Sequence, residues 1–189
     1  MDSTTKKTVK GMVWSVIDRF AGQGVQFLMS IIIARLVLPS DYGLIAMLTI
    51  FLAIAQTFVD SGFGSALVQK IDRTEVDFST AFYFNIVVST CAYFILFFTA
   101  PYIADFYNQD KLVSVTRIAG LSLIINSFGV VQLARLTINL DFKKTAVATL
   151  TSVTISGIAG IVMAYYGYGV WALVVQTLSS NIINVFMLW

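Results

Sequence analysis

Four charged residues lie inside long apolar stretches of the sequence: Asp18, Arg19, Asp60 and Arg135. A charge at the centre of a membrane helix costs about 2.5–3.5 kcal/mol on insertion scales, so it needs a partner or a hydrated space. An arginine in a water-filled cavity can bind an anionic group through two parallel hydrogen bonds. We therefore interpret Arg19 as a cavity residue and Asp60 as a structural ion-pair partner of Arg19 or Arg135. For Arg135, both a role in the cavity and a role in a structural ion pair remain possible predictions.

Asp18 cannot pair with the adjacent Arg19, because the side chains of consecutive residues of a helix point about 100° apart. We assign Asp18, like Asp60, to structural ion pairing. At 1.5 Å per residue, Arg19, Asp60 and Arg135 each lie about 12–15 Å along a helix from a lysine of the nearest connector. The spacing predicts that all three side chains share one inner layer of the membrane.

Uncharged polar residues extend from these charges along single helix faces. In the first apolar stretch, Gln23, Gln26 and Ser30 follow Arg19 at spacings of four, three and four residues, which predicts one continuous face. Hydrogen bonding between helices explains an isolated Gln or Asn, whereas a polar stripe beside an arginine favours a hydrated cavity. The predicted substrate-binding residues are Arg19, Gln23, Gln26, Ser30, Asn85, Arg135 and Gln176.

Two further arginines, Arg35 and Arg117, lie near the predicted outer ends of their helices. Their long side chains can extend to the lipid head groups, so they are either interfacial residues or an outer gate. The fifth apolar stretch instead carries Ser152, Ser156 and Gly160 at four-residue spacing, and Ala164 continues the series. Small residues in this pattern predict close packing against another helix.

The elements that must position these residues follow from composition. The chain has 189 residues, 58% of them hydrophobic and 12% charged, which is too little polar surface for a soluble domain. About 20 apolar residues cross a bilayer as a helix. We predict an all-α membrane protein, one six-helix lobe over residues 1–189, with spans at 11–37, 42–67, 77–104, 112–138, 144–166 and 169–189.

The distribution of lysine and arginine predicts the orientation of these spans. The predicted cytoplasmic segments carry Lys6, Lys7, Lys10, Lys70, Arg73, Lys143 and Lys144, whereas only Lys111 lies clearly in a connector on the other side. Positive residues remain in the cytoplasm, so both termini should be cytoplasmic. The sequence has no His and a single cysteine, Cys91. We therefore expect no metal, no cofactor and no disulfide framework.

The segment from Ile33 to Lys70, IARLVLPSDYGLIAMLTIFLAIAQTFVDSGFGSALVQK, resembles the start of Wzx-type polysaccharide-export flippases. These belong to the multidrug/oligosaccharidyl-lipid/polysaccharide exporter superfamily. The run KGMVWSVIDRFAGQGVQFLMSI and the segment 77–82, DFSTAF, support the same resemblance. The adjacent Asp18 and Arg19 are similar to an Asp and Arg in the first helix of the related lipid II flippase, whose Arg faces the cavity.

The resemblance implies export of undecaprenyl-pyrophosphate-linked oligosaccharide across the bacterial cytoplasmic membrane. It covers essentially the whole chain but only the first half of the family's architecture, in which two six-helix lobes face a central cavity. The implied partners are the lipid-linked oligosaccharide, membrane lipids and a second six-helix lobe, with no nucleic acid.

Three other functions stay open. A multidrug or cation antiporter of the same superfamily would favour acidic cavity residues, which the arginines argue against. A membrane enzyme such as a polyprenyl-phosphate glycosyltransferase would need an acidic metal-binding loop, for which only Asp72, Glu75 and Asp77 are available. Because their spacing is typical of a solvated loop, we expect no enzyme activity. The third alternative is a structural membrane protein that does not transport.

Overall fold

The computed structural model describes residues 3–60, 67–70, 72 and 74–189, with side chains described from residue 20 onward. The described part is helical and contains no strand, which confirms the predicted all-α class. The helices are α1 (Ser3–Leu36), α2 (Pro39–Val59), α3 (Glu75–Tyr107), α4 (Lys111–Ala119), α5 (Leu121–Ile138), α6 (Phe142–Tyr165) and α7 (Val170–Leu188).

Five segments of the described chain are long and apolar enough to cross a membrane. They are α2, α3, α4 with α5 as one segment (Lys111–Ile138), α6 and α7. In α1 the described apolar part, Phe20–Leu36, is shorter than these. Large apolar side chains such as Phe20, Phe58 and Phe186 are exposed on the surface, as expected where the neighbouring phase is lipid. The chain is a multi-pass membrane protein.

Local sequence signals set the helix ends. Pro39 opens α2, where a missing backbone N–H costs nothing. Thr74 and Asp77 form a reciprocal capping box at the start of α3, and Asn108 closes that helix in the left-handed conformation. Gly169, with φ of +54°, turns the chain from α6 into α7, and a Cβ there would lie 2.7 Å from Asp41 Oδ2. A larger residue would therefore not fit this turn.

The observed helices differ from the predicted spans at three places. The predicted span 112–138 is divided at Gly120, which packs closely against Leu96 and Tyr93 of α3. The predicted span 42–67 ends early, because α2 stops at Val59 and Asp60 is its exposed C-terminal cap. The glycines Gly62 and Gly64 that follow in the sequence disfavour continuing the helix. The other ends agree within three residues, except that α1 begins at Ser3, before the predicted residue 11.

The helices pack in the spatial order α1, α6, α7, α5, α3, α2, with α2 also touching α5 and α7. The α1–α6 and α6–α7 interfaces are the most extensive. The small residues Ser152, Ser156, Gly160 and Ala164 of α6 are all buried, which confirms that this stripe is a packing face. Helix α7 therefore lies between the α1–α6 pair and the α2–α3–α5 group.

Candidate functional site

A polar groove of about 250 Å³ lies where α1, α6 and α7 meet. Three side-chain amides line it: Gln26 from α1, and Gln176 and Asn181 from α7. We call it the amide groove; its other lining residues are Val153, Ser156, Thr177 and Ser180. It brings together two of the residues predicted to bind substrate, Gln26 and Gln176, from distant parts of the chain.

Glycines of α6 allow this convergence. A Cβ built on Gly160 would lie 3.0 Å from Gln176 Cβ and 3.1 Å from Ile33 Cδ1, so this glycine contacts α7 and α1 at once. One turn earlier, a Cβ on Gly157 would lie 2.7 Å from Met29 Cγ. Small residues let helix backbones approach closely, and here they bring α1 and α7 against the same face of α6.

The groove presents three amides and the hydroxyl of Ser180 to a ligand. Ser156 and Thr177 donate their hydroxyl protons to the carbonyls of Val153 (3.3 Å) and Leu173 (3.0 Å) of their own helices. Gln26, Gln176 and Asn181 make no side-chain hydrogen bond to any residue in the described part of the chain. Each amide offers two donors and an acceptor, a set that suits hydroxyl groups and phosphate oxygens equally.

The other predicted residues of the first helix lie elsewhere. Gln23 and Ser30 are exposed on α1 and do not line the amide groove. The Ser30 hydroxyl donates to the carbonyl of Phe27 at 2.8 Å. The side chains of Asp18 and Arg19 fall outside the described ones, so their predicted roles stay predictions.

Arg135 forms an ion pair that the sequence reasoning did not find. Its guanidinium donates a short hydrogen bond to Glu75 at the start of α3 and lies over the Phe78 ring, 4.6 Å from its centroid. Within the described residues, Arg135 pairs with Glu75 and not with Asp60. Arg135 occupies the last turn of α5, where a positive charge is favoured by the helix dipole. No signal in the sequence links it to Glu75.

Asp60 and Asn85 line a second cavity, of about 300 Å³, between the end of α2 and the helices α3 and α5. The Gln56 side chain donates to Asp60 Oδ1 at 2.9 Å. Asn85 is only 1% exposed, and its Nδ2 has no hydrogen-bond partner among the described residues. We call this space the Asp60–Asn85 cavity; its other lining residues are Val59, Val68, Val130, Leu133, Ala134 and Thr137.

The two predicted outer arginines have different surroundings. Arg35 is exposed near the C-terminal end of α1. Arg117 lies on α4 with its guanidinium carbon 4.2 Å from the centroid of the Phe97 ring of α3. This cation–π contact holds Arg117 against the helix bundle, a constraint that hydropathy alone does not reveal. The gate and interface alternatives for both residues stay predictions.

The membrane-length helices and the largely apolar outer surface define an integral membrane protein, in which α1, α6 and α7 form a polar groove. The family model described as "Polysaccharide biosynthesis protein" matches residues 32–189, and the chain belongs to this family. The membership confirms the resemblance carried by the segment from Ile33 to Lys70.

Curated relatives are similar over much of the chain. Teichuronic acid biosynthesis protein TuaB of Bacillus subtilis is 29% identical over 129 residues, 68% of this chain and 27% of the relative. Succinoglycan biosynthesis transport protein ExoT of Rhizobium meliloti is 23% identical over 179 residues, which are 95% of this chain and 36% of the relative. Lipopolysaccharide biosynthesis protein WzxC of Escherichia coli is 20% identical over 182 residues, which are 96% of this chain and 36% of the relative. The chain thus spans about a third of these relatives' length. No solved structure matches it.

Proposed function

We propose that this chain supplies the N-terminal lobe of a flippase that moves lipid-linked oligosaccharide across the bacterial cytoplasmic membrane. The observation that carries the proposal is the amide groove, a set of uncharged hydrogen-bonding groups where α1, α6 and α7 meet, in a bundle whose outer surface is largely apolar. A sugar chain needs such groups to replace its water as it crosses, because unmet hydrogen bonds in the membrane interior are costly. The name of ExoT as a succinoglycan biosynthesis transport protein supports transport, and the name of WzxC supports a role in lipopolysaccharide biosynthesis.

The character of the groove favours this substrate over a cation. Among the described side chains, no carboxylate lines the amide groove, so these residues offer little to hold a cationic drug. We infer a carrier rather than an enzyme, with Glu75 engaged by Arg135 and Asp77 by Lys70 at 2.8 Å. The lipid pyrophosphate would be bound by Arg19, as the resemblance implies, while the amides bind sugar hydroxyls.

The complete carrier would need a second lobe facing the first. In this proposal the two lobes rock about a substrate held between them. Both termini of this chain lie in the cytoplasm, in keeping with its distribution of positive residues. Membrane lipids surround the apolar surface.

Complementation tests the proposal. A bacterium lacking its own polysaccharide flippase is supplied with the protein that carries this sequence, and its surface polysaccharide is measured. We expect export by the unaltered protein and a reduction of at least about tenfold for Gln26→Ala with Gln176→Ala, the loss of two hydrogen bonds. Gln132→Ala, which removes an amide on α5 outside both cavities, is the control. Full export by a normally expressed double variant would refute the role of the groove.

A further inference from the structure

Another cavity, of about 410 Å³, lies where the starts of α2 and α4 meet the turn between α6 and α7. We call it the Asp41–Lys111 cavity after its two charged lining residues; its polar and aromatic lining residues include Ser40, Ser114, Tyr168 and Trp171. Three membrane-length segments begin at this end of the bundle: α2, the segment Lys111–Ile138, and α7. The cavity therefore lies at the membrane surface, on the side predicted to face the periplasm.

Both charges of this cavity can be reached from outside. Lys111 is exposed and Asp41 is half-buried. The carboxylate of Asp41 lies against the α6–α7 turn, where a Cβ on Gly169 would be 2.7 Å from its Oδ2. A Cβ on Gly167, which also lines the cavity, would have nothing within 4 Å. The turn thus fits closely around the carboxylate on one side and leaves open space on the other.

The position of Lys111 is unfavourable on two general grounds. It is the first residue of α4, where the helix dipole disfavours a positive charge. It is also the one lysine that lies clearly in a predicted periplasmic connector, where positive residues are depleted. Residues that break local rules without a gain in stability are expected at functional sites. Lys111 is therefore a candidate for ligand binding.

The two charges of the cavity define the ligand. Neither Asp41 nor Lys111 forms a side-chain hydrogen bond or an ion pair with any residue in the described part of the chain. A simple anion would be repelled by Asp41 and a simple cation by Lys111, and a neutral sugar would leave both charges unpaired. A ligand with one cationic and one anionic group pairs with both. At a membrane surface, zwitterionic phospholipid head groups have this chemistry.

We propose that the Asp41–Lys111 cavity binds the phosphoethanolamine head group of a membrane phospholipid. Its ammonium donates to the Asp41 carboxylate, and its phosphate accepts from the Lys111 ammonium and from the hydroxyls of Ser40 and Ser114. A primary ammonium is favoured over choline, because a quaternary ammonium has no N–H to donate to a carboxylate. The lipid stays bound to the protein and is not the transported molecule, so the proposal does not depend on the proposed flippase function.

The test is native mass spectrometry of the protein that carries this sequence, titrated in detergent with dioleoyl phosphatidylethanolamine, phosphatidylcholine and phosphatidylglycerol. We expect saturable binding of phosphatidylethanolamine, at least about tenfold tighter than binding of the other two lipids, the effect of one charge-assisted hydrogen bond. Asp41→Asn and Lys111→Gln should each weaken it about tenfold or more. Asp41→Asn should also bind phosphatidylglycerol more tightly than phosphatidylethanolamine, because only the positive charge of Lys111 remains.

Matched controls are available at the same end of the bundle. Asp105→Asn on α3 and Arg35→Gln on α1 change charges outside the cavity and should leave lipid binding unchanged. Because Asp41 and Lys111 have no partner within the described chain, their variants should unfold at the temperature of the unaltered protein in lipid-free detergent. If a variant does not fold, the lipid preference of the unaltered protein still decides the outcome.

Three results would overturn the proposal. The first is equal binding of the three lipids by the unaltered protein, and the second is phosphatidylethanolamine binding that neither variant weakens. The third concerns glycerophosphoethanolamine, which has the same head group without acyl chains. If it binds as tightly as the lipid, the cavity takes a soluble zwitterion and the assignment to a membrane lipid is wrong.

Discussion

Gly160 of α6 lies so close to Gln176 of α7 that a Cβ on the glycine would be 3.0 Å from the Cβ of the glutamine. The same position faces Ile33 of α1. Because Gly160 has no side chain, α1 and α7, the helices that carry Gln26 and Gln176, can approach α6 closely. The packing of these helices and the shape of the amide groove therefore both depend on this glycine.

Gly160→Leu should force α6 away from both neighbours. Overpacking of this kind costs about 1–3 kcal/mol, and we expect a lower unfolding temperature in detergent. Gly24→Leu on α1 is the matched control, because a Cβ at Gly24 has nothing within 4 Å. If Gly160→Leu unfolds at the same temperature as the unaltered protein, this face of α6 is not the packing interface described here.

The ion pair of Arg135 can be tested with a double-mutant cycle. Because both side chains are substantially exposed, Arg135→Ala and Glu75→Ala should show a coupling free energy of only about 0.2–1 kcal/mol in thermal unfolding. The parallel cycle of Arg135→Ala with Asp60→Ala should give a coupling near zero. A larger coupling to Asp60 than to Glu75 would restore the ion pair considered from sequence alone.

Topology is measurable by lysine labelling in intact cells. An amine reagent that cannot cross the membrane should modify Lys111 from the periplasmic side, while Lys70 and Lys143 should react only after the cells are opened. Replacing Lys111 with Gln controls for labelling elsewhere. The reverse pattern would invert the chain and, with it, the direction of the proposed transport.

Arg19 is tested by a conservative and a truncating change. Arg19→Lys keeps the positive charge but loses the planar fork that binds phosphate, so polysaccharide export should fall sharply while expression stays near normal. Arg19→Ala should abolish export. If Arg19 instead has a structural role, Arg19→Ala should lose the protein from the membrane, because the partner of Arg19 would be left without an opposite charge. Full export by well-expressed Arg19→Ala would eliminate the pyrophosphate role.

Hydropathy predicted the helical class and most helix ends, because a long apolar stretch in lipid has few ways other than a helix to satisfy its backbone hydrogen bonds. It could not predict the division at Gly120, since the apolar character continues through that residue and the break reflects contacts with Leu96 and Tyr93. The early end of α2 was missed for a similar reason. Asp60 was interpreted as lying within an apolar run, whereas it caps the helix.

The candidate site was only partly visible in the sequence. The spacing of polar residues on α1 singled out Gln26, because that pattern lies within one helix, and Gln176 was among the residues predicted to bind substrate. Their meeting in one groove depends on how three helices pack, as does the pairing of Arg135 with Glu75. Asn181 lines the groove but was not among the residues predicted to bind substrate.

The most direct measurement is flipping in liposomes. The protein that carries this sequence is reconstituted with a lipid-linked oligosaccharide, and a lectin added outside reports the arrival of sugar at the outer leaflet. We expect protein-dependent arrival, with an initial rate at least about tenfold lower for Gln26→Ala with Gln176→Ala and unchanged for Gln132→Ala. Arrival at the same rate in protein-free liposomes, or an undiminished rate in the double variant, would contradict it.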